Sequence, residues 1–127
     1  MGNIFVLVVD DDYQLQQIAK LELQSCGMTV FTAADTHQAD AILKYAHVDA
    51  IVCDVAMLGE DGFSWCQRLR RDGNQVPVLF LSAFTDPKTI HLGYEAGGTG
   101  FIAKPFEIDT LCRSVLNAAR PPTQSAA

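Results

Sequence analysis

The sequence predicts an α/β fold, a doubly wound five-stranded parallel sheet flanked by five helices. Three observations carry that prediction. Five short apolar runs, Ile4 to Val9, Thr29 to Thr32, Ala50 to Cys53, Val78 to Leu81 and Gly100 to Ala103, are rich in β-branched or aromatic residues. Most are near-continuously apolar, as strands buried on both faces must be. Segments of helical spacing separate them, and strand and helix alternate five times. That order closes by right-handed parallel crossovers, with helices on both faces of the sheet.

The elements follow in turn. The first strand, Ile4 to Val9, runs into Asp10-Asp11-Asp12. The helix expected over about Asp12 to Cys26 offers Leu15, Ile18, Ala19 and Cys26 on one stripe but puts Glu22 on it too, which weakens the pattern. Gly27 is placed to end it. The second helix shows Ala39, Ile42, Leu43 and Ala46, and the last shows Ile108, Leu111, Cys112, Val115, Leu116 and Ala119, both amphipathic stripes. Asp86-Pro87 supplies a cap and a first-turn proline for the fourth helix. The division expected is one domain over residues 1–120, with residues 121–127 as a linker or disordered tail, because RPPTQSAA has linker composition.

Composition narrows the function classes. The chain has 127 residues, 49% of them apolar, and 15 acids against 9 bases give a net charge of −6. A chain of that size buries roughly two-thirds of its unfolded surface, so it needs no disulfide or zinc staple. The bases are scattered apart from Arg68, Arg70 and Arg71, whereas a phosphate backbone needs a concentrated basic face, so no direct nucleic-acid binding is expected. No apolar run approaches the ~20 residues of a membrane span, and Met1 to Val9 lacks signal-peptide features. The expectation is a soluble cytoplasmic protein with no membrane partner. Cys26, Cys53, Cys66 and Cys112 contain no Cys-x-x-Cys pair and fall in apolar-patterned segments, which points to reduced core thiols. His37, His47 and His91 are separated, lie on segments read as helical, and fit solvated helix positions better than ligands.

In sheets of this class ligands bind beyond the carboxyl ends of the strands. Asp10, Asp11 and Asp12 follow the first strand, Asp54 the third, Ser82 the fourth and Lys104 the fifth. Singly, each reads as a cap, a turn residue or a solvated charge. Together, converging carboxylates repel and call for a cation among them. Mg²⁺ suits such a pocket because it takes few carboxylates and keeps places for water and phosphate oxygens. Carboxylates, a metal, an ammonium and a hydroxyl around one Asp make a phosphoryl-transfer site. One reading takes Asp10-Asp11-Asp12 as the nucleophile motif of haloacid-dehalogenase-like phosphatases, with Ser82 and Lys104 as later motifs. It needs a further acidic pair, where only Glu107 and Asp109 follow, and it leaves Asp54 unexplained.

At these residues the chain resembles the receiver domain of two-component response regulators, over about Ile4 to Ala119. The match lies in VLVVDDD at Val6 to Asp12, AIVCDVAMLGEDG at Ala50 to Gly62, VLFLSA at Val78 to Ala83 and EAGGTGFIAKPF at Glu95 to Phe106. The resemblance implies a flavodoxin-like sheet of order 2-1-3-4-5. It implies that Asp54 accepts a phosphoryl group from the phosphohistidine of a sensor histidine kinase or histidine phosphotransfer protein. Asp11, Asp54 and the Ala56 carbonyl would bind Mg²⁺ directly and Asp10 through metal-bound water, while Ser82 and Lys104 hold phosphoryl oxygens. Ser82 and Phe101 would form the switch that remodels the surface of the fourth helix, fifth strand and fifth helix, for an output domain or target protein the chain does not name. A cis Lys104-Pro105 peptide and phosphorylation-dependent homodimerisation follow by the same analogy. The chain would catalyse its own phosphorylation and dephosphorylation without being an enzyme on external substrates.

Three departures stand out. Leu58 replaces the usual proline after Met57, which loosens the loop by up to ~1 kcal/mol through backbone entropy. Ala56 and Phe84 occupy positions that in the family it resembles tune hydrolysis, and neither side chain can orient water by hydrogen bonding, so slow autodephosphorylation is expected. Leu58 and its loop are also the feature that would favour the alternative of a non-phosphorylated pseudo-receiver that only binds a partner.

Overall fold

The apolar runs pair in parallel because each is followed by a helix long enough to return the chain to the same edge. The computed structural model describes residues 3–119, and in it the strands β1 (Phe5–Val9), β2 (Thr29–Ala33), β3 (Ala50–Asp54), β4 (Val78–Ser82) and β5 (Gly100–Ala103) alternate with five helices. These are α1 (Tyr13–Ser25), α2 (Thr36–Tyr45), α3 (Gly62–Arg71), α4 (Pro87–Glu95) and α5 (Ile108–Ala119). The strand order is β2-β1-β3-β4-β5, all parallel, so the order reverses between β1 and β3. The expected tail at residues 121–127 lies outside the described residues. Among those residues no helix is long and apolar enough to cross a membrane.

Local chemistry sets the helix ends. Asp12, Asp35, Asp61 and Asp86 each cap the N-terminus of a helix by accepting a backbone N–H three residues on, and Pro87 fills the first turn of α4. Gly27 follows α1 with a φ of 87°, a conformation that costs a glycine little. Apolar side chains pack on both faces of the sheet. On one face Val6, Val8, Val52, Leu79, Leu81 and Ile102 meet α1 and α5 through Ala19, Leu23, Leu111 and Val115. On the other, Leu7, Val9, Ile51, Cys53 and Phe80 meet Ala39, Trp65, Cys66 and Leu69. The central strands β3 and β4 are buried throughout, which explains their unbroken apolar sequence.

Three expectations are corrected. Cys26 and Cys112 are not reduced thiols but a disulfide, with Cα atoms 6.6 Å apart and a sequence separation of 86. The pairing arises because α1 and α5 pack side by side on one sheet face, which brings the residue ending α1 onto α5. Cys53 and Cys66 are free and buried, as the apolar pattern implied. His47 is not on a helix. Ala46 turns extended after α2, and Asp49 organises the connection by accepting the Phe5 N–H at 2.8 Å and contacting His47 Nε2 at 2.6 Å. In α1 the buried residues are Gln16, Ala19 and Leu23, while Ile18 remains 48% exposed. The helix is rotated because the Gln16 amide donates to Asp10 O and Ala33 O, each at 3.1 Å. Glu22 is half-buried, its Oε2 without a hydrogen-bond partner, and burial raises its pKa.

Candidate functional site

Parallel pairing brings the carboxyl ends of β1, β3, β4 and β5 to one edge, and the expected side chains converge there. Asp10 directly follows β1, its N–H bonded to Ala33 O at 3.0 Å. It is almost fully buried, and its Oδ1 accepts the Asp12 N–H at 2.9 Å. Asp54 is the buried last residue of β3. Asp11 is exposed and accepts the Leu58 N–H at 3.1 Å. Carboxylate oxygens of Asp10, Asp11 and Asp54 all lie within 4.8 Å of one another.

Lys104 enters this cluster from the end of β5. Its backbone N–H bonds Ser82 O at 2.9 Å, and its Nζ donates to Asp54 Oδ1 at 2.6 Å. The same Nζ stands 3.8 Å from Asp10 Oδ2, too far for a hydrogen bond, so that buried oxygen has no hydrogen-bond partner. The Lys104–Pro105 peptide is cis. Burial pushes Asp10 up to about 6, opposed by the Asp12 N–H and by Lys104 and reinforced by the charges of Asp54 and Asp11. One ammonium does not neutralise three carboxylates. The donor set, all oxygen and with one buried lone pair unused, fits a hard divalent cation such as Mg²⁺.

Ser82 ends β4 buried, and its hydroxyl donates to Phe84 O at 2.7 Å while accepting the Phe84 N–H at 3.0 Å. A cavity of about 380 Å³ opens here, lined by Asp54, Ala56, Ser82, Phe84 and Lys104 among others. A larger groove of about 590 Å³ lies between α2 and α3, away from this chemistry. Phe101, half-buried on β5, packs its ring against Phe80 at 5.5 Å, Tyr94 at 5.9 Å and Phe63 at 6.2 Å between centroids. Gly93 makes room for it, since a Cβ there would come within 2.3 Å of Phe101 Cζ.

The arrangement defines an α/β domain with an anchored Asp beside an ammonium and further carboxylates at one sheet edge. The chain matches the response regulator receiver domain family over residues 6–116, and it belongs to that family. It is 35% identical over 123 residues to the probable transcriptional regulator ycf27 of Cyanophora paradoxa, covering 94% of this chain. The chain spans about half the length of that relative, 51%. The chemotaxis protein CheY4 of Vibrio cholerae is 33% identical with a TM-score of 0.87, over 92% of this chain and 99% of that one. The receiver domain of the sensor histidine kinase PA1611 from Pseudomonas aeruginosa PAO1, solved with a magnesium ion in its active site cleft, is 28% identical. Its TM-score is 0.82, over 93% of this chain and 98% of that one.

Several contributors escaped the sequence reading. Gln16 ties α1 to the Asp10 carbonyl, and its signal was a polar residue four positions after the acidic run. Gly62 opens α3 so close to β3 that a Cβ would sit 2.5 Å from Asp54 O. Thr36, Glu60 and Arg68 join across α2, the β3–α3 loop and α3, a contact that no local pattern announces.

Proposed function

We propose that Asp54 is the phosphoacceptor of this receiver, taking a phosphoryl group from the phosphohistidine of a sensor histidine kinase or histidine phosphotransfer protein. The observation that supports this most is the 2.6 Å contact of Lys104 Nζ with Asp54 Oδ1 at the wall of the cavity. In the transfer an Asp54 oxygen forms a bond to phosphorus as the phosphorus–nitrogen bond breaks, and the electron pair leaves on the imidazole nitrogen. Negative charge spreads over the phosphoryl oxygens in such a transition state, so positioning and charge stabilisation do most of the catalysis. Lys104 meets that charge with its ammonium and Ser82 with its hydroxyl. Asp10, Asp11, Asp54 and the Ala56 carbonyl would hold Mg²⁺, which when bound supplies further positive charge beside the phosphoryl oxygens. The chain thus catalyses its own phosphorylation and hydrolysis and turns over no external substrate.

Phosphorylation adds roughly −1.5 to −2 charge and three strong acceptor oxygens. The Ser82 hydroxyl, donating to Phe84 O in this structure, would re-aim at a phosphoryl oxygen and draw in the loop that leads to α4. Phe101 lies on the path from that loop to the α4, β5 and α5 surface through Gly93 and Tyr94. An output domain or target protein reads that surface in the cytoplasm, with a phosphorylation-dependent homodimer as one form of output.

Incubation with acetyl phosphate and Mg²⁺, followed by intact-mass measurement, tests the reading. One phosphoryl adduct in the wild type and none in Asp54→Asn is the expected result. A wild type that takes no adduct would instead be a pseudo-receiver that only binds a partner.

A further inference from the structure

The loop between β3 and α3 is held by side chains outside the acidic cluster. It lacks the stiffening of a proline, since Leu58 follows Met57. Glu60, near its end, accepts a hydrogen bond from Thr36 Oγ1 of α2 at 2.8 Å. Arg68 of α3 grips the same carboxylate with a fork, Nη2 to Oε1 at 2.7 Å and Nε to Oε2 at 3.0 Å. Arg68 Nη2 also donates to Asp40 Oδ2 at 2.8 Å, and Asp40 Oδ1 accepts from Nε1 of the fully buried Trp65 at 2.9 Å. Arg68, with Thr36, keeps the Glu60 carboxyl below the usual glutamate range despite its partial burial.

The same loop reaches the acidic cluster by its other side. The Leu58 N–H donates to Asp11 Oδ2 at 3.1 Å, and the Gly62 N–H closes the loop on Val55 O at 2.9 Å. Ala56 therefore lies between the Val55 closure and a contact to Asp11, and Glu60 fixes the strand of loop that follows.

We infer that Arg68 is a positioning residue for the cation site: through its fork on Glu60 it sets the loop that presents the Ala56 carbonyl and the Leu58 N–H to the acidic cluster. The inference deepens the proposed function and rests on its assignment of a divalent cation to Asp10, Asp11 and Asp54. A guanidinium fork fixes two carboxylate oxygens in one plane, which an ammonium cannot do. Charge alone predicts the opposite sign. Removing a cation from the neighbourhood of a metal site tightens metal binding by Coulomb's law or leaves it unchanged, whereas losing a positioning contact weakens it.

The test uses Mn²⁺ as the probe, with free metal counted by electron paramagnetic resonance, on wild type, Arg68→Gln, Arg68→Lys, Glu60→Gln, Thr36→Val and Asp54→Asn. Partners that orient metal ligands from outside typically contribute roughly 10–100-fold in affinity. Arg68→Gln and Glu60→Gln are expected to weaken Mn²⁺ binding by about tenfold, and Arg68→Lys to fail to restore it, while urea unfolding stays cooperative. Glu60→Gln also removes an anion, which by itself weakens cation binding, so the uncharged Thr36→Val, which takes away the Thr36 hydrogen bond to Glu60, decides the matter if the Arg68 variants unfold: weaker Mn²⁺ binding is expected there too, and unchanged binding overturns the inference. Unchanged or tighter binding in Glu60→Gln, with Asp54→Asn still weakening it, overturns the inference alone. Absence of Mn²⁺ binding in the wild type overturns the metal assignment, and the inference falls with it.

Discussion

Lys104 Nζ lies 2.6 Å from Asp54 Oδ1 and 3.8 Å from Asp10 Oδ2, so a single ammonium at the end of β5 faces carboxylates from two other strands. Both acids are buried, and Lys104 is the cation in contact with them. Lys104→Met should therefore lower metal-free stability at pH 7 by about 1.5–3 kcal/mol, the range for hydrogen bonds to charged groups. Urea unfolding with and without Mg²⁺ measures it, and Mg²⁺ should recover part of the loss. Equal stability of the variant and the wild type without metal would show that solvent already screens the pair.

The pH dependence of the metal-free protein follows from Asp10. Its folded pKa is about 6 against an ordinary 3.8, so the folded state binds this proton more tightly than the unfolded chain does. The contribution to stability is complete below pH 3.8 and is lost as pH rises through 6. Above that point the buried charge costs about 2–3 kcal/mol, since one pKa unit corresponds to about 1.4 kcal/mol. Asp10→Asn should be the more stable protein at pH 7 without Mg²⁺, and its advantage should shrink towards pH 4. Denaturant midpoints at several pH values for both proteins check this. Because other carboxylates such as Glu60 shift the opposite way, the comparison must be between the two proteins.

The Cys26–Cys112 bond crosslinks the end of α1 to α5. A bridge closing a loop of that length restricts the unfolded chain by typically 2–4 kcal/mol. Reduction, or Cys26→Ser, should lower the thermal midpoint, and alkylation of the unfolded, unreduced protein should label Cys53 and Cys66 but not the bridged pair. Labelling of all cysteines in protein never exposed to reductant would contradict the bond.

Gly93→Ala sets two effects against each other. Alanine favours the helix by roughly 1 kcal/mol over glycine. Its Cβ would come within 2.3 Å of Phe101 Cζ and 2.6 Å of Phe101 Cε1, and overpacking of that kind costs about 1–3 kcal/mol. The clash should win, so the variant is expected to be less stable and Phe101 displaced from Phe63 and Phe80, visible as aromatic chemical-shift changes. Phe101→Leu combined with Gly93→Ala should relieve the loss.

Phe84 and Ala56 line the cavity with Asp54 but offer no side-chain group to orient water. Phosphorylated protein in Mg²⁺ buffer should lose its phosphoryl group slowly, and Phe84→Asn should speed the loss. A lifetime of seconds in the wild type, followed by intact mass, would falsify the expectation.

The alternation of apolar runs with helical stripes was enough to order the elements, because burial on both faces of β3 and β4 and capping by Asp12 and Asp86 are written in local residue types. Asp10, Asp11, Asp54, Ser82 and Lys104 were legible for a related reason. Each sits at or just beyond the carboxyl end of a strand, and parallel strands deliver their ends to one edge. The disulfide, the rotation of α1 onto Gln16 and the Arg68–Glu60 fork were not legible, since they depend on which helices pack side by side and at what angle. Helix periodicity states that a face is buried without stating against what. Cys26 and Cys112, 86 residues apart, became a pair only when α1 and α5 settled on the same face of the sheet. Local residue types set the elements and the chemistry at their ends, while helix packing selected which distant side chains hold that chemistry in place.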